Sequence, residues 1–410
     1  MKRAIRSLGI QAGAVTILAA AACQAQAVDW GGYFRAGPGA SQKDAARACY
    51  GLSGPGLKYR LGNECDIYGE FFLSQGLKAD GVDYKAYLMT NLFNPQTDTG
   101  SATTGINQMY AEGKGFDIAP NTTFWIGKRF YGRADVHIVD TFYTNLSGVG
   151  AGADIPVGIG TLGVAYFHTD ASATDSGDRL NFDLADIEVN PRGKLRVLAT
   201  LTKGRFSGGK SGAALTLQHD QDIRRAGAIQ QKDVIEELDE GGNKFWLQYA
   251  QGSAGLNGNF GDLTAPSDVK SFRAVESIAW QKGRLGGQAQ VMWQQDKHPA
   301  LGINKIDSST IGGRVSWAFT KNFKLLAELG YSQKKPDNSS TQKLTKFTIA
   351  PTLSTGPGFF NRPELRLYVT TAKWNDAANA AAGPNGIIGV PGTGNKTSGT
   401  SYGAQVEMWF

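Results

Sequence analysis

Tyr402-Gly403-Ala404-Gln405-Val406-Glu407-Met408-Trp409-Phe410, the end of the chain, decides the fold. Successive side chains of a strand point to opposite faces, so Tyr402, Ala404, Val406, Met408 and Phe410 form one apolar side. Gln405, Glu407 and Trp409 stand on the other. A segment that is greasy on one face and polar on the other suits the closing strand of an outer-membrane β-barrel. In lipid every backbone N–H and C=O must be paired, and a closed sheet has no edge to leave unpaired. Trp409 sits on the wet face, where an indole is useful if a sugar ring stacks on it.

The opposite end of the chain agrees on the compartment. Lys2, Arg3 and Arg6 precede an apolar stretch from Ala12 to Cys23, and Ala25-Gln26-Ala27 has the small-x-small form of a secretory cleavage site. That stretch is too short to span a bilayer. Residues 1–27 are therefore expected to be a signal peptide and residues 28–410 one barrel domain. Without the three leader cations the formal charge falls from +6 to +3, a balance that does not point to nucleic acid. With 54 glycines, 41% hydrophobic residues and a negative mean hydropathy, the chain has many short alternating segments and no helical span. Cys49 and Cys65 lie in one Gly-, Pro- and Ser-rich segment, and after export they are expected to oxidise. Closing that loop is worth roughly 3 kcal/mol.

Candidate strands recur between Gly, Pro, Asn and Asp clusters, among them Tyr84 to Leu92, Thr123 to Arg129, Lys194 to Thr202, Ala213 to His219, Phe323 to Gln333 and Glu364 to Lys373. Connections are short at Lys282-Gly283-Arg284 and Thr320-Lys321-Asn322. They are long and polar at Gln251 to Lys270 and Asn375 to Ser401, the asymmetry of tight periplasmic turns and larger external loops. The acidic stretch Asp233 to Glu240 is read as loop.

Parity then places the chemistry. Tyr33 and Arg35 oppose Trp30 and Phe34. Asp66, Tyr68 and Glu70 oppose Ile67, Phe71 and Leu73. Arg366, Tyr368 and Trp374 oppose Leu365, Leu367 and Val369. Aromatic rings are common at the interfaces of any barrel. Tyr33, Tyr68, Trp374 and Trp409 differ because they share parity with charges, and an Arg or Lys near the midplane of the lipid face costs about 2–4 kcal/mol. Their rings are expected in the bore. A pyranose stacks its C–H face on such rings, while its hydroxyls bond to Arg, Asp and Glu. Weak repeated sites allow both capture and release.

Several motifs now resemble the maltoporins, outer-membrane channels for maltose and maltodextrins. They are Lys58-Tyr59-Arg60-Leu61-Gly62-Asn63-Glu64-Cys65 with Cys49, Gly127-Lys128-Arg129-Phe130-Tyr131-Gly132-Arg133, Asp135-Val136-His137, and Ser147-Gly148-Val149-Gly150-Ala151-Gly152. Asn243-Lys244-Phe245, Gln248-Tyr249-Ala250, Ala372-Lys373-Trp374 and Gln405-Val406-Glu407-Met408-Trp409 extend the likeness along the mature chain. The resemblance implies an all-β, antiparallel transmembrane barrel of eighteen strands, a homotrimer in outer-membrane lipid, and a third external loop folded inward. It implies an aromatic slide at Tyr33, Tyr68, Trp374 and Trp409, a polar track at Arg35, Arg60, Glu70, Arg133, Asp135 and Asp140, and saccharides of the maltose and maltodextrin type as solutes. No cofactor or metal is implied.

The departures are specific. The constriction tyrosine falls on Phe142, a track arginine on Asn107, and the innermost slide aromatic on Gly242, with Trp246 as a stand-in by parity. For the slide residue of a neighbouring subunit the nearest counterpart is Phe93. These positions favour an alternative, a less selective porin for small hydrophilic solutes including other sugars. Gly204 to Ser211 fits the phosphate-loop pattern, but the residues that follow alternate as a strand, and that chemistry needs a helix. Gly158-Gly160-Gly163 likewise reads as a hairpin. His137, His168, His219 and His298 are scattered, with no metal or nucleophile motif. A channel is expected, not an enzyme. A secreted carbohydrate-binding β protein would use the same rings, and detergent-dependent extraction separates it from a porin.

Overall fold

The computed structural model describes residues 24–25, 27–41, 45–95, 102–170, 175–223, 239–299, 302–382 and 396–410. The expected leader lies outside these apart from Gln24, Ala25 and Ala27. Eighteen antiparallel strands form the wall. They are β1 (Asp29–Ala36), β2 (Ile67–Ala79), β3 (Val82–Asn94), β4 (Thr103–Phe116), β5 (Ala119–Arg129), β6 (Gly148–Val157), β7 (Gly160–Thr169), β8 (Gly177–Asn190) and β9 (Gly193–Gly204). The circuit continues with β10 (Ser211–Asp222), β11 (Asp239–Gly252), β12 (Lys270–Lys282), β13 (Leu285–His298), β14 (Ile303–Ala318), β15 (Phe323–Pro336), β16 (Gln342–Ser354), β17 (Glu364–Trp374) and β18 (Ser398–Trp409). Asp239 and Glu240, expected in a loop, open β11 instead, and the rest of that acidic stretch lies outside the described residues.

The last strand pairs with the first, Tyr33 opposite Trp409 and Arg35 opposite Glu407. Gly32 and Phe410 exchange backbone hydrogen bonds of 3.1 Å in both directions. Closure removes the unpaired edges that lipid would penalise. Along β17 burial alternates without a break: Leu365, Leu367 and Val369 face outward and Arg366, Thr370 and Trp374 inward. Outward Trp317 and Phe323 mark one rim and Trp293 and Tyr402 the other, as interfacial rings do. The phosphate-loop look-alike feeds directly into β10, and Gly158-Ile159 is the hairpin turn between β6 and β7.

One end of the barrel carries tight turns. At Asp80-Gly81 both residues have positive φ, 48° and 83°, the backbone that a two-residue hairpin requires and that Asp-Gly supplies. The other end carries the long loops, and two of these fold into the bore. Residues 37–66 contribute Tyr50, Leu57, Tyr59 and Leu61, all almost wholly buried. Residues 130–147 contribute Val136, Ile138 and Tyr143, which are fully buried. Leu61 packs with Leu326, Ala350 and Tyr368, and the others pack on the inward side chains Trp246, Val275 and Met292. The reason is composition: loops this apolar would expose hydrocarbon if they stayed in water, worth about 25 cal/mol per Å².

Polar side chains of the inner wall hold the backbone of both loops. The Leu61 amide donates to Glu328 (2.9 Å), and the Leu61 carbonyl accepts from Lys346 (2.8 Å). The Ile138 amide donates to Gln288 (3.2 Å), and the Tyr143 carbonyl accepts from Gln248 (2.8 Å). Cys49 and Cys65 are disulfide-bonded with Cα atoms 6.0 Å apart, which ties the middle of the first inward loop to its end beside β2. Asn63 braces the same loop by accepting from the Tyr50 amide (2.5 Å) and donating to the carbonyls of Tyr50 and Tyr59 (2.6 and 2.7 Å).

The Tyr59 ring lies flat on glycines of the wall. A Cβ at Gly330 would come within 2.0 Å of that ring, and one at Gly312 within 2.5 Å. Gly330→Val should therefore lift the first loop off the wall while the strands still close. The expected result is a barrel that keeps its heat-modifiable gel migration but conducts ions better than the unaltered protein. Unchanged conductance would show that Tyr59 does not seat the loop.

Candidate functional site

Tyr33 on β1 and Tyr68 on β2 sit side by side on the inner wall with ring centroids 6.3 Å apart. Arg35 lies over the Tyr68 ring at 5.3 Å and is itself fixed by three carboxylates, Glu64 (3.0 Å), Asp66 (2.7 Å) and Asp140 (3.0 Å). Arg60 projects from the first inward loop to meet Glu64 (2.7 Å), Glu407 (2.9 Å) and the Tyr33 hydroxyl (2.6 Å). Burial acts to lower its pKa, but Glu64 and Glu407 outweigh burial and raise it well above the ordinary arginine value. Tyr68 donates to Glu70 (2.5 Å). Asn107, noted in the sequence only as a missing arginine, donates to Glu70 (2.7 Å) and to the Tyr68 hydroxyl (3.2 Å). An amide thus links Tyr68 and Glu70 where the resemblance implied a guanidinium.

The second inward loop forms a hairpin, with Ala134–Val136 paired to Thr141–Thr144 and Phe142 opposite Asp135. Arg133 is sandwiched between the rings of Phe142 (3.7 Å) and Phe130 (3.9 Å). Phe142 thus keeps its ring occupied by a cation, a contact for which a hydroxyl is not needed. Burial pushes the Asp135 carboxyl up, against the pull of Lys244. Asp140 is half-exposed and has a left-handed φ of 49°. Burial pushes its carboxyl up as well, but Arg60 and Arg35 prevail and hold it below the usual range.

Two expected platforms, Trp374 and Trp246, behave differently from the sequence reading. Trp374 has inward parity but is only 3% exposed, because Tyr50 of the first inward loop stacks on it at 5.8 Å. Trp246 is fully buried beneath Tyr143 (5.4 Å) and donates to Gln218 (3.0 Å), so it cannot serve as a platform for a solute. Gly242 leaves open space, since a Cβ there would meet nothing nearer than 3.9 Å. Phe93 stands opposite Tyr68 in the register of β2 and β3.

Trp409 is 37% exposed. The Arg362 guanidinium covers its ring at 4.5 Å, and the His137 ring meets it edge-on at 5.8 Å. His137, which the sequence shows outside any metal or nucleophile motif, lies between two arginines, Arg60 to Nδ1 (3.3 Å) and Arg362 to Nε2 (3.1 Å). A neutral imidazole accepts at one nitrogen only, so the ring takes one of these bonds at a time. Arg362 and Arg366 also reach Glu407, while Lys324 pairs with Glu364 (2.7 Å). Arg362 is the member no strand pattern identified, because it lies in the connection between β16 and β17. Phe72, Tyr87 and Tyr110, stacked in sequence at 5.2 Å each, form a further inner-wall ladder that parity alone could have found.

A sealed cylinder with an apolar outside, a charged inside and loops narrowing the bore is the geometry of a diffusion channel. The LamB porin family model matches residues 28–410. The chain belongs to the LamB porin family. It is an outer-membrane porin of bacteria, and its relatives in that family are channels and not enzymes. Among solved structures it is similar to OccAB1 of Acinetobacter baumannii, with a TM-score of 0.51 and 10% identity over 93% of this chain and 96% of that one. It is also similar to OccK1 (OpdK) of Pseudomonas aeruginosa, with a TM-score of 0.50 and 9% identity over 94% and 98%. At such identities the likeness establishes the barrel fold alone.

Burial pushes the His137 imidazole well below its ordinary pKa of 6.5, and Arg60 and Arg362 act in the same direction against Glu407. The unfolded chain binds this proton near pH 6.5 and the folded porin refuses it. Stability from this residue is therefore complete above that pH and declines as pH falls below it. The unfolding midpoint of the detergent-solubilised porin should drop between roughly pH 7 and pH 5, above the range in which the carboxylates titrate. His137→Gln should flatten that slope; an equal slope in both proteins would place the pH dependence elsewhere.

Proposed function

We propose that this porin is a homotrimeric, sugar-selective channel that passes maltose- and maltodextrin-type saccharides by facilitated diffusion. The observation carrying this reading is the set Tyr33, Tyr68 and Trp409, three rings on the inner wall, each in contact with arginine or with a carboxylate network. A sugar needs both faces of that arrangement. Its C–H face gains apolar contact on a ring, and its hydroxyls find Arg35 and Glu70, while Arg60, already bonded to Glu64, Glu407 and the Tyr33 hydroxyl, holds that ring in place. Arg133, Asp135 and Asp140 continue the track past Phe142, where the hairpin narrows the bore. The export leader and the Cys49–Cys65 bridge fit the same compartment, since a disulfide persists outside the cytosol.

A second reading, a less selective porin for small hydrophilic solutes, is favoured by one observation in particular. Trp374 is capped by Tyr50, which removes one of the four slide rings from the path. Fewer platforms mean weaker discrimination by chain length.

In planar bilayers, maltose, maltotriose and maltohexaose should block the ion current in a graded series. Trp409→Ala and Tyr68→Ala should each weaken block by about three- to tenfold, the loss expected for one ring contact. Trp374→Ala should act less, and through the seating of Tyr50. Current that no sugar alters would refute the sugar-channel reading, and equal block by glucose, sucrose and maltose would select the less selective alternative. The trimer is tested by migration in SDS before and after heating.

A further inference from the structure

The turn end of the barrel holds a feature the sugar path above does not use. The connections at Asp80-Gly81, Asp117-Ile118, Gly158-Ile159, Pro191-Arg192 and Gly283-Arg284 are two residues each, whereas 355–363 is far longer and turns into the bore. It is firmly held there. The Phe359 amide donates to Gln281 (2.8 Å), the Gly358 carbonyl accepts from Lys324 (2.8 Å), the Thr355 hydroxyl donates to the Arg362 carbonyl (2.8 Å), and Arg362 bonds Glu407 (2.9 Å). Phe359 is buried and presses edge-on against Phe360 at 4.8 Å. Phe360 itself is left 39% exposed.

Phe360 and Trp409 line one cavity of about 1460 Å³ at this end. Both rings meet the edge of His137, at 5.9 and 5.8 Å, so they flank a single imidazole. The facing wall contributes Asp220, whose carboxylate accepts from Gln218 (2.7 Å). An exposed apolar ring on a tightly tethered turn gains nothing from water. A ligand with an apolar face covers that ring, and its hydroxyls can bond to the Asp220 carboxylate that lines the cavity.

We propose that this cavity is a second saccharide subsite at the turn end, with Phe360 and Trp409 as stacking platforms and Asp220 as hydroxyl acceptor. It deepens the sugar-channel reading and rests on it. The inturned connection supplies a ring where the wall at Gly242, lining the same cavity, supplies none. A sugar arriving from the turn end meets this subsite first.

The test is current block by maltohexaose added to one side at a time, on channels inserted in one orientation. Phe360→Ala and Phe360→Leu should lower the association rate from the turn side roughly three- to tenfold and leave association from the loop side within about twofold. Phe360→Tyr, which keeps the ring, should retain the original rate, and Asp220→Ala should lower the turn-side rate by a smaller factor. Turn-side association unchanged in Phe360→Ala, or restored in Phe360→Leu, overturns the subsite while block of the unaltered channel still stands. An unaltered channel that no sugar blocks removes the sugar-channel reading, and the subsite with it.

Discussion

Glu407 is the carboxylate on which the interior is organised. It lies on the closing strand with its side chain fully enclosed, and three guanidiniums converge on it: Arg60 from the first inward loop, Arg362 from the inturned connection, and Arg366 from the neighbouring strand. Its register partners are Arg35 on one side and Glu364 on the other. Two adjacent carboxylates in a poorly solvated site would repel, and the arginines reverse that sign. Enclosing these charges is favourable only because each has several partners, and taking away one member of such a cluster costs about 3–5 kcal/mol. The seam, the first loop and the inturned connection are therefore not separate features; they share one ion cluster.

From that cluster the path for solutes follows. Arg60 can hold the Tyr33 hydroxyl only because Glu64 and Glu407 fix its guanidinium, and Arg35 can cover Tyr68 only because Glu64, Asp66 and Asp140 immobilise it. Rings positioned in this way lose little freedom when a solute arrives, so the contact energy is not consumed in ordering the protein. A network that is already ionically balanced also lacks a deep electrostatic well for either sign of charge. That condition suits the neutral, hydroxyl-rich solute proposed above, which would exchange one set of partners for the next.

The wall was legible in the sequence because strand geometry has a period of two, and that period survives whatever the loops do. Tyr33, Arg35, Tyr68, Glu70 and Trp409 all fall on the inner face that parity assigns. Parity reports a side and says nothing of cover. Trp374 lies on the inner face, yet Tyr50, from a segment more than three hundred positions away, closes over it. Trp246 is hidden by Tyr143 in the same way. Where a loop comes to rest depends on long-range packing of residues such as Leu57 and Ile138. Their apolarity signalled burial but not its place.

His137 and Arg362 were missed for a related reason: each is unremarkable in its local sequence, and its chemistry exists only where two loops meet. The inturned connection did leave a trace in the spacing of the strands. The segment between Ser354 and Glu364 is too long for a tight turn, and Phe359, Phe360 and Arg362 within it are residues that an idle turn in water would not favour. A barrel has no edges to spare, so any extra residues at a turn must either extend into solvent or fold inward. Two phenylalanines tilt that choice inward, and Arg362, entering with them, meets Glu407 and completes its coordination. The same nine-residue segment thus narrows the channel and stabilises the seam that makes it a channel.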